Sequence, residues 1–274
     1  MKTKLWKYVT ASGSPVLRGL GGLAMCLAVV SCGTVAAPGV QVSSHRFPSG
    51  GKLIRVDRYR PEAVKPGPAP TAVLVLHGAG GMVFDGPEIK SMANELALAG
   101  HDAYVVHYFD RAGGPVTFDS GMTRHFDVWV GTVRDAATWV RESEGQKGAI
   151  GLYGYSLGGF LTVAESFHDP RVNAAVVHAG GIWDGYDKGV KQVPPLLMIH
   201  GRQDHRVEFS RYVPQMQRFV NSKHGAAQFS TSIYDDQDHR FKEMALIKMR
   251  RETVAFFDKE LKPRQKAAAT LSAR

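Results

Sequence analysis

The chain has 274 residues, 44% of them apolar, with four Trp and thirteen Phe, enough to fill the core of one ordinary domain plus a tail. Its formal charge of +9 is partly carried by Lys2, Lys4, Lys7 and Arg18 at the start and by Lys262, Arg264, Lys266 and Arg274 at the end, and no basic face interleaved with aromatics points to nucleic acid. Cys26 and Cys32 are the two cysteines, both ahead of the domain, which excludes a disulfide, a cysteine nucleophile or a thiolate metal site within it.

Residues 1–32 read as a secretory signal: lysines, then an apolar run from Leu20 to Val30 that is short for a membrane span. The run closes as Val29-Val30-Ser31-Cys32-Gly33, which resembles the bacterial lipoprotein box. That resemblance implies a lipidated Cys32 as the mature N-terminus and a protein tethered to a membrane of the cell envelope, in the periplasm. Cleavage near Thr34-Val35-Ala36 would instead release an exported soluble protein, and an uncleaved anchor is the third reading. Residues 33–39 form a tether.

Val40 to Arg46 and Leu53 to Arg60 alternate as two antiparallel strands around a Pro48-Ser49-Gly50-Gly51 turn. Four prolines make Pro61 to Pro70 a loop. Ala72 to Leu76 is a continuous apolar run, the mark of a strand covered on both faces. A helix over Pro87 to Ala99 and a strand over Asp102 to His107 follow. The spacing of Val130, Val133, Ala137 and Val140 predicts a helix over Phe126 to Ser143. Then come a strand over Ala149 to Tyr153, a helix over Phe160 to Phe167, and strands over Val172 to His178 and Leu196 to His200. A helix over Arg211 to Val220, a strand over Phe229 to Tyr234 and a helix over Phe241 to Leu261 complete the pattern. The alternation predicts an α/β domain over residues 40–262, a mostly parallel sheet with helices on both faces. Residues 263–274 read as a flexible basic tail.

Gly154-Tyr155-Ser156-Leu157-Gly158 lies between a strand and a helix, the context of a nucleophile elbow. Taken alone it is also compatible with a glycine-rich turn. In such a sheet, reactive groups belong on loops at the C-terminal ends of strands. Two further loops carry the required chemistry: Gly201-Arg202-Gln203-Asp204-His205 and Asp235-Asp236-Gln237-Asp238-His239. A serine hydroxyl needs a base, and the base needs a carboxylate to fix its tautomer. The order Ser, Asp, His therefore assigns Ser156 as nucleophile, Asp204 as orienting carboxylate and His239 as general base. Asp204 could serve as a turn former and His205 could compete as base, while Asp235, Asp236 and Asp238 read as surface charge. His101, His125, His168 and His224 read as surface or helix residues. No histidine pair has helical metal-ligand spacing with a carboxylate, so neither a metal nor a cofactor is expected. His77-Gly78-Ala79-Gly80-Gly81 follows its strand where an oxyanion loop belongs; the expected donors are the N–H of Leu157 and that of Ala79 or Gly80.

His-Gly-x-Gly-Gly, Gly-Tyr-Ser-Leu-Gly-Gly, His-Gly-Arg-Gln-Asp and Asp-His-Arg-Phe, in that order, resemble the α/β-hydrolase superfamily, and within it the dienelactone hydrolase family and its serine-nucleophile relatives. The likeness runs from Ala72 to Leu261. It implies an α/β-hydrolase fold and hydrolysis of a small-molecule ester through an acyl-enzyme. Three positions depart from the family pattern: Ser156 replaces a cysteine, Arg240 replaces the glycine after the histidine, and Glu208 replaces the proline after Val207. A serine peptidase of prolyl-oligopeptidase type and an acyltransferase share these motifs, and a non-catalytic envelope binding protein could retain the fold. The insert Gly180 to Pro195 is short, which predicts a short or absent lid and an open pocket. Candidate pocket residues are Tyr155 beside the nucleophile, Trp183 in that insert, and Phe109 and Arg111 after the Asp102 to His107 strand. The oligomeric state is left open.

Overall fold

The computed structural model describes residues 36–63, 69–222 and 229–262. The expected signal, Cys32, the first part of the tether and the basic tail from residue 263 lie outside the described residues, as does His224. Eight strands form one sheet: β1 (Val40–Ser49), β2 (Lys52–Pro61), β3 (Ala72–Leu76), β4 (Asp102–Val106), β5 (Ile150–Tyr155), β6 (Val172–His178), β7 (Leu196–Gly201) and β8 (Phe229–Tyr234). Their order is β1-β2-β4-β3-β5-β6-β7-β8. The β1–β2 and β2–β4 pairs are antiparallel and all others parallel. Gly50 and Gly51, with φ of +45° and +81°, close the β1–β2 hairpin in a conformation that side chains resist.

Every residue of β3, β4 and β5 is buried, as continuous apolar runs require. Successive side chains then serve opposite faces. Val73 and Val75 of β3 pack with Ile89, Met92 and Leu96 of α2 (Gly86–Leu98) and with Met249 and Phe257 of α6 (Glu243–Leu261). Leu74 and Leu76 pack with Trp129, Val133 and Val140 of α3 (Asp119–Glu142) and Leu161 of α4 (Leu157–His168). Val213 and Met216 of α5 (Phe209–Ser222) cover Ala175 and Val177 of β6. The sheet is thus an α/β-hydrolase sheet. Residues 180–195, between β6 and β7, contain turns but no helix or strand, so this connection adds no lid domain.

Several boundaries differ from the sequence reading. α3 begins seven residues before Phe126, through the polar stretch Asp119-Ser120-Gly121, where no apolar periodicity marks a helix. α1 (Gly81–Phe84) is a single turn that periodicity does not register. Phe241 precedes α6 and is buried. His101 is not a surface residue: it is fully buried, with Nδ1 2.5 Å from Thr71 Oγ1 and Nε2 3.0 Å from Asp258 Oδ1. Among the described residues, no helix is long and apolar enough to cross a membrane.

Candidate active site

β5 leads into α4 through one residue, Ser156, whose φ of 54° and ψ of −118° are strained for a residue with a side chain. Steric contact around it leaves no choice of neighbours. A Cβ on Gly154 would lie 2.0 Å from the Gly158 carbonyl oxygen, and one on Gly158 would lie 2.5 Å from the carbonyl oxygens of Leu76 and His77. The Ser156 N–H donates to His178 O at 2.9 Å, which fixes the turn to the neighbouring strand. The result is a hydroxyl held at the C-terminal rim of the sheet, at the N-terminus of α4.

Two loops bring the remaining groups to it. His239 Nε2 is 2.9 Å from Ser156 Oγ, and His239 Nδ1 is 2.8 Å from Asp204 Oδ2. A carboxylate only accepts, so the network assigns the ring proton to Nδ1 and leaves Nε2 free to accept from the serine. The Asp204 side chain is fully enclosed. Its Oδ1 accepts the Arg206 and Val207 N–H groups at 2.9 and 2.8 Å. Beneath it the buried His200 donates through Nε2 to Val207 O at 2.7 Å and lies 3.3 Å from Asp204 Oδ2. Burial by itself would raise the Asp204 pKa; hydrogen bonds from His200 and His239 and the Val207 N–H outweigh it and hold the carboxyl well below the usual range.

The loop His77–Gly81 stands opposite. His77 is buried, donates through Nδ1 to Gly78 O at 2.8 Å, and stacks on Tyr108 with ring centroids 4.2 Å apart. Burial lowers its pKa to about 3, so the ring is neutral and structural. Asp85, also buried, sits behind the loop, 2.8 Å from where a Cβ on either Gly78 or Gly80 would be. The backbone N–H groups of Gly78 and Gly80 are turned toward that carboxyl. Arg240, the residue after His239, donates to Asp85 Oδ1 at 2.8 Å. Burial nevertheless keeps the Asp85 pKa raised.

Two cavities open on Ser156. One, of about 320 Å³, is lined by Phe84, Phe118, Tyr155, His239, Arg206 and Arg240. The other, of about 350 Å³, is lined by Leu157, Phe160, Trp183, Tyr212, Met122 and Val207. Ala79 borders both and Gly80 the first. Tyr155 and Trp183 therefore lie at the site, but Phe109 and Arg111 line neither cavity. A 3-10 turn over Tyr108–Arg111 buries Phe109 edge-on against His77 at 4.6 Å and sends Arg111 to the β1–β2 turn, where it donates to Gly50 O at 2.6 Å. Val116, Thr117 and Phe118 form a wall of the first cavity. The sequence reading did not single out Asp85, His200 or Arg206. Asp85 carries no motif signal; His200 opens the His-Gly-Arg-Gln-Asp motif and could have been found there, and Arg206 could have been suspected from its place two residues after Asp204. No cluster of potential metal ligands occurs among the described residues.

A model of the dienelactone hydrolase family matches residues 56–268. No curated protein matches the sequence. Among solved structures, a dienelactone hydrolase-like promiscuous phosphotriesterase from metagenomic libraries superposes with a TM-score of 0.67 at 15% identity, covering 82% of this chain and 100% of that one. Dienelactone hydrolase from Anabaena variabilis gives 0.62 at 18% identity, covering 82% and 100%. A serine hydrolase without a lid from Xanthomonas campestris gives 0.62 at 19% identity, covering 81% and 96%. At these identities the structural likeness carries the fold alone.

Proposed function

The chain belongs to the dienelactone hydrolase family, and we propose that it is a serine hydrolase that cleaves a carboxylic ester through an acyl-enzyme on Ser156. The observation that carries this reading is the unbroken chain of hydrogen bonds from Asp204 through His239 to Ser156, at 2.8 and 2.9 Å. In it, His239 Nε2 takes the hydroxyl proton as Oγ attacks the ester carbonyl carbon. The resulting oxyanion accepts from the N–H groups of Leu157 and Ala79. Gly80 is the weaker candidate, because its N–H is turned toward Asp85. Each such donor contributes about 2.7–4 kcal/mol to the transition state. His239 then returns the proton to the departing alkoxide, which leaves as the alcohol. Water, deprotonated by the same nitrogen, attacks the acyl carbon, and Oγ leaves with the proton to regenerate the serine. Asp204 holds the ring and stabilises the imidazolium that forms twice per cycle.

The general acid has to reach the leaving oxygen. The cavity that includes His239 therefore takes the alcohol side, and the aromatic cavity of Phe160, Trp183 and Tyr212 takes the acyl side. Both are open, which suits small esters.

Hydrolysis of short-chain p-nitrophenyl esters, with fluorophosphonate labelling in parallel, tests the reading on the wild type and on Ser156→Ala. Turnover and labelling should both vanish in the variant. Labelling without ester turnover would move the assignment to a peptidase or an acyltransferase. A folded wild type that shows neither would sink the serine chemistry.

A further inference from the structure

Beside His239, at the α2 and α6 side of the sheet, lies a third cavity of about 160 Å³. Its walls are mostly apolar: Ile89 from α2, Tyr153 and Tyr155 from β5, Phe241 ahead of α6, and Leu246 and Met249 from that helix. The charged groups that line it are already matched. Asp85 is paired with Arg240 at 2.8 Å, and Glu88 with Arg250 at 3.0 Å. A further net charge would therefore find no counter-ion there.

Two side-chain polar atoms of the lining have no hydrogen-bond partner, Asp85 Oδ2 and His178 Nε2, and a hydroxyl group can serve either. His178, also in the lining, is 3% exposed and packed against Phe241 and Tyr155, with ring centroids 4.7 and 5.0 Å away. Its Nδ1 meets the Tyr153 hydroxyl at 3.2 Å, while its Nε2 has no hydrogen-bond partner. Leaving such a nitrogen unmet is costly. Burial lowers the His178 pKa to about 3, so the ring is neutral and Nε2 is a donor or an acceptor according to which way the bond to Tyr153 runs. A hydroxyl group satisfies either tautomer, since it both donates and accepts.

We propose that this cavity is a second binding site, for a small uncharged molecule made of an apolar frame and one hydroxyl, an alcohol or a phenol, held by His178 Nε2. Neither an anion nor a cation fits a lining whose charges are paired. Asp85, Tyr155 and Arg240 line both this cavity and the one that opens on Ser156. Arg240 and Phe241 follow His239 directly in the chain. An occupant therefore touches the segment that carries the base.

Phenol is the probe, titrated by calorimetry and by the imidazole nitrogen shifts of His178 into the full-length wild type and Ser156→Ala. Reading binding rather than turnover separates this site from the ester chemistry. The expected result is one saturable site per chain in both proteins, with the Nε2 resonance moving on binding. His178→Phe, which removes the nitrogen, should weaken binding about tenfold. Leu246→Trp, which fills the cavity from α6, should abolish it while far-ultraviolet dichroism stays that of the wild type; this variant keeps the test decisive should His178→Phe fail to fold. Absence of saturable binding would mean that the cavity holds water only. That result, or binding that survives Leu246→Trp unchanged, would overturn the proposal.

Discussion

The elbow that carries Ser156 and the two loops that carry Asp204 and His239 meet across bonds of 2.9 and 2.8 Å, and they are held by different physics. Around the elbow, backbone lies against backbone: Gly154 against Gly158, Gly158 against Leu76 and His77, Gly159 against Gly180. Its geometry follows from excluded volume, and no side-chain bond anchors Ser156 to its own helix. The loops share one such contact, Gly201 against the Gln237 and Asp238 carbonyls, and add polar bonds to it. Gln203 N–H donates to Gln237 O at 2.9 Å, Arg202 N–H to Tyr234 O at 2.9 Å, and Lys242 N–H to Gln237 Oε1 at 2.8 Å. A steric scaffold fails as a unit when overfilled. A hydrogen-bonded one can lose a member and keep its shape, so its losses appear in chemistry before they appear in stability.

Substitutions in the two regions should separate along that line. Asp204→Asn should lower kcat about 10⁴-fold, because an amide favours the wrong imidazole tautomer, while the thermal midpoint moves little. A fall of less than about tenfold would mean that Asp204 does not orient the base. Gly154→Ala should do the reverse, costing about 3 kcal/mol or more in urea unfolding, since its Cβ would lie 2.0 Å from a carbonyl oxygen. The control is Gly131 in α3, where a Cβ meets nothing within 4 Å; Gly131→Ala should stabilise by about 0.5–1 kcal/mol. Equal effects at the two glycines would refute the steric account.

A pH-dependent effect tests an exception inside the steric half. Glu165 of α4 is fully buried, with Arg134 Nη2 2.9 Å from Oε2. Burial raises its pKa from 4.5 to about 7 despite Arg134. The folded state thus binds a proton that the unfolded state has released between those values, and this contribution is complete below pH 4.5 and lost as pH rises through 7. Glu165→Gln lacks that slope. Its stability relative to wild type should rise by up to about 3 kcal/mol between pH 5 and pH 8. A flat difference across that range would show that the ion pair offsets the burial.

The same division explains what the sequence disclosed. A continuous apolar run announced β3, and the glycines at 154 and 158 announced the elbow, because each encodes a local steric need. The loops carrying Asp204 and His239 were legible through the order of residue types along the chain, which the parallel sheet converts into proximity. Asp85 escaped notice because its partner Arg240 meets it only once the strands are in register; His200, at the head of its motif, was passed over because Asp204 and Val207 face it only when the following loop turns back. Phe109 and Arg111 were misplaced for a related reason: a single 3-10 turn decides whether a side chain faces the pocket or the core, and four residues show no periodicity. The polar opening of α3 was invisible because it buries no apolar stripe.

Gly81 lies so close to the Pro115 carbonyl that a Cβ there would be 2.0 Å from its oxygen, and Thr117 N–H donates to Ala79 O at 2.9 Å. The segment that shapes one cavity wall is thereby fastened to the loop assigned the oxyanion. Substrate preference and rate are not separable modules in this architecture. Grafting a different sequence into 113–118 to retune selectivity would also displace the 77–81 loop, so adaptation to new substrates has a freer path through Trp183 and Tyr212, which that loop does not hold.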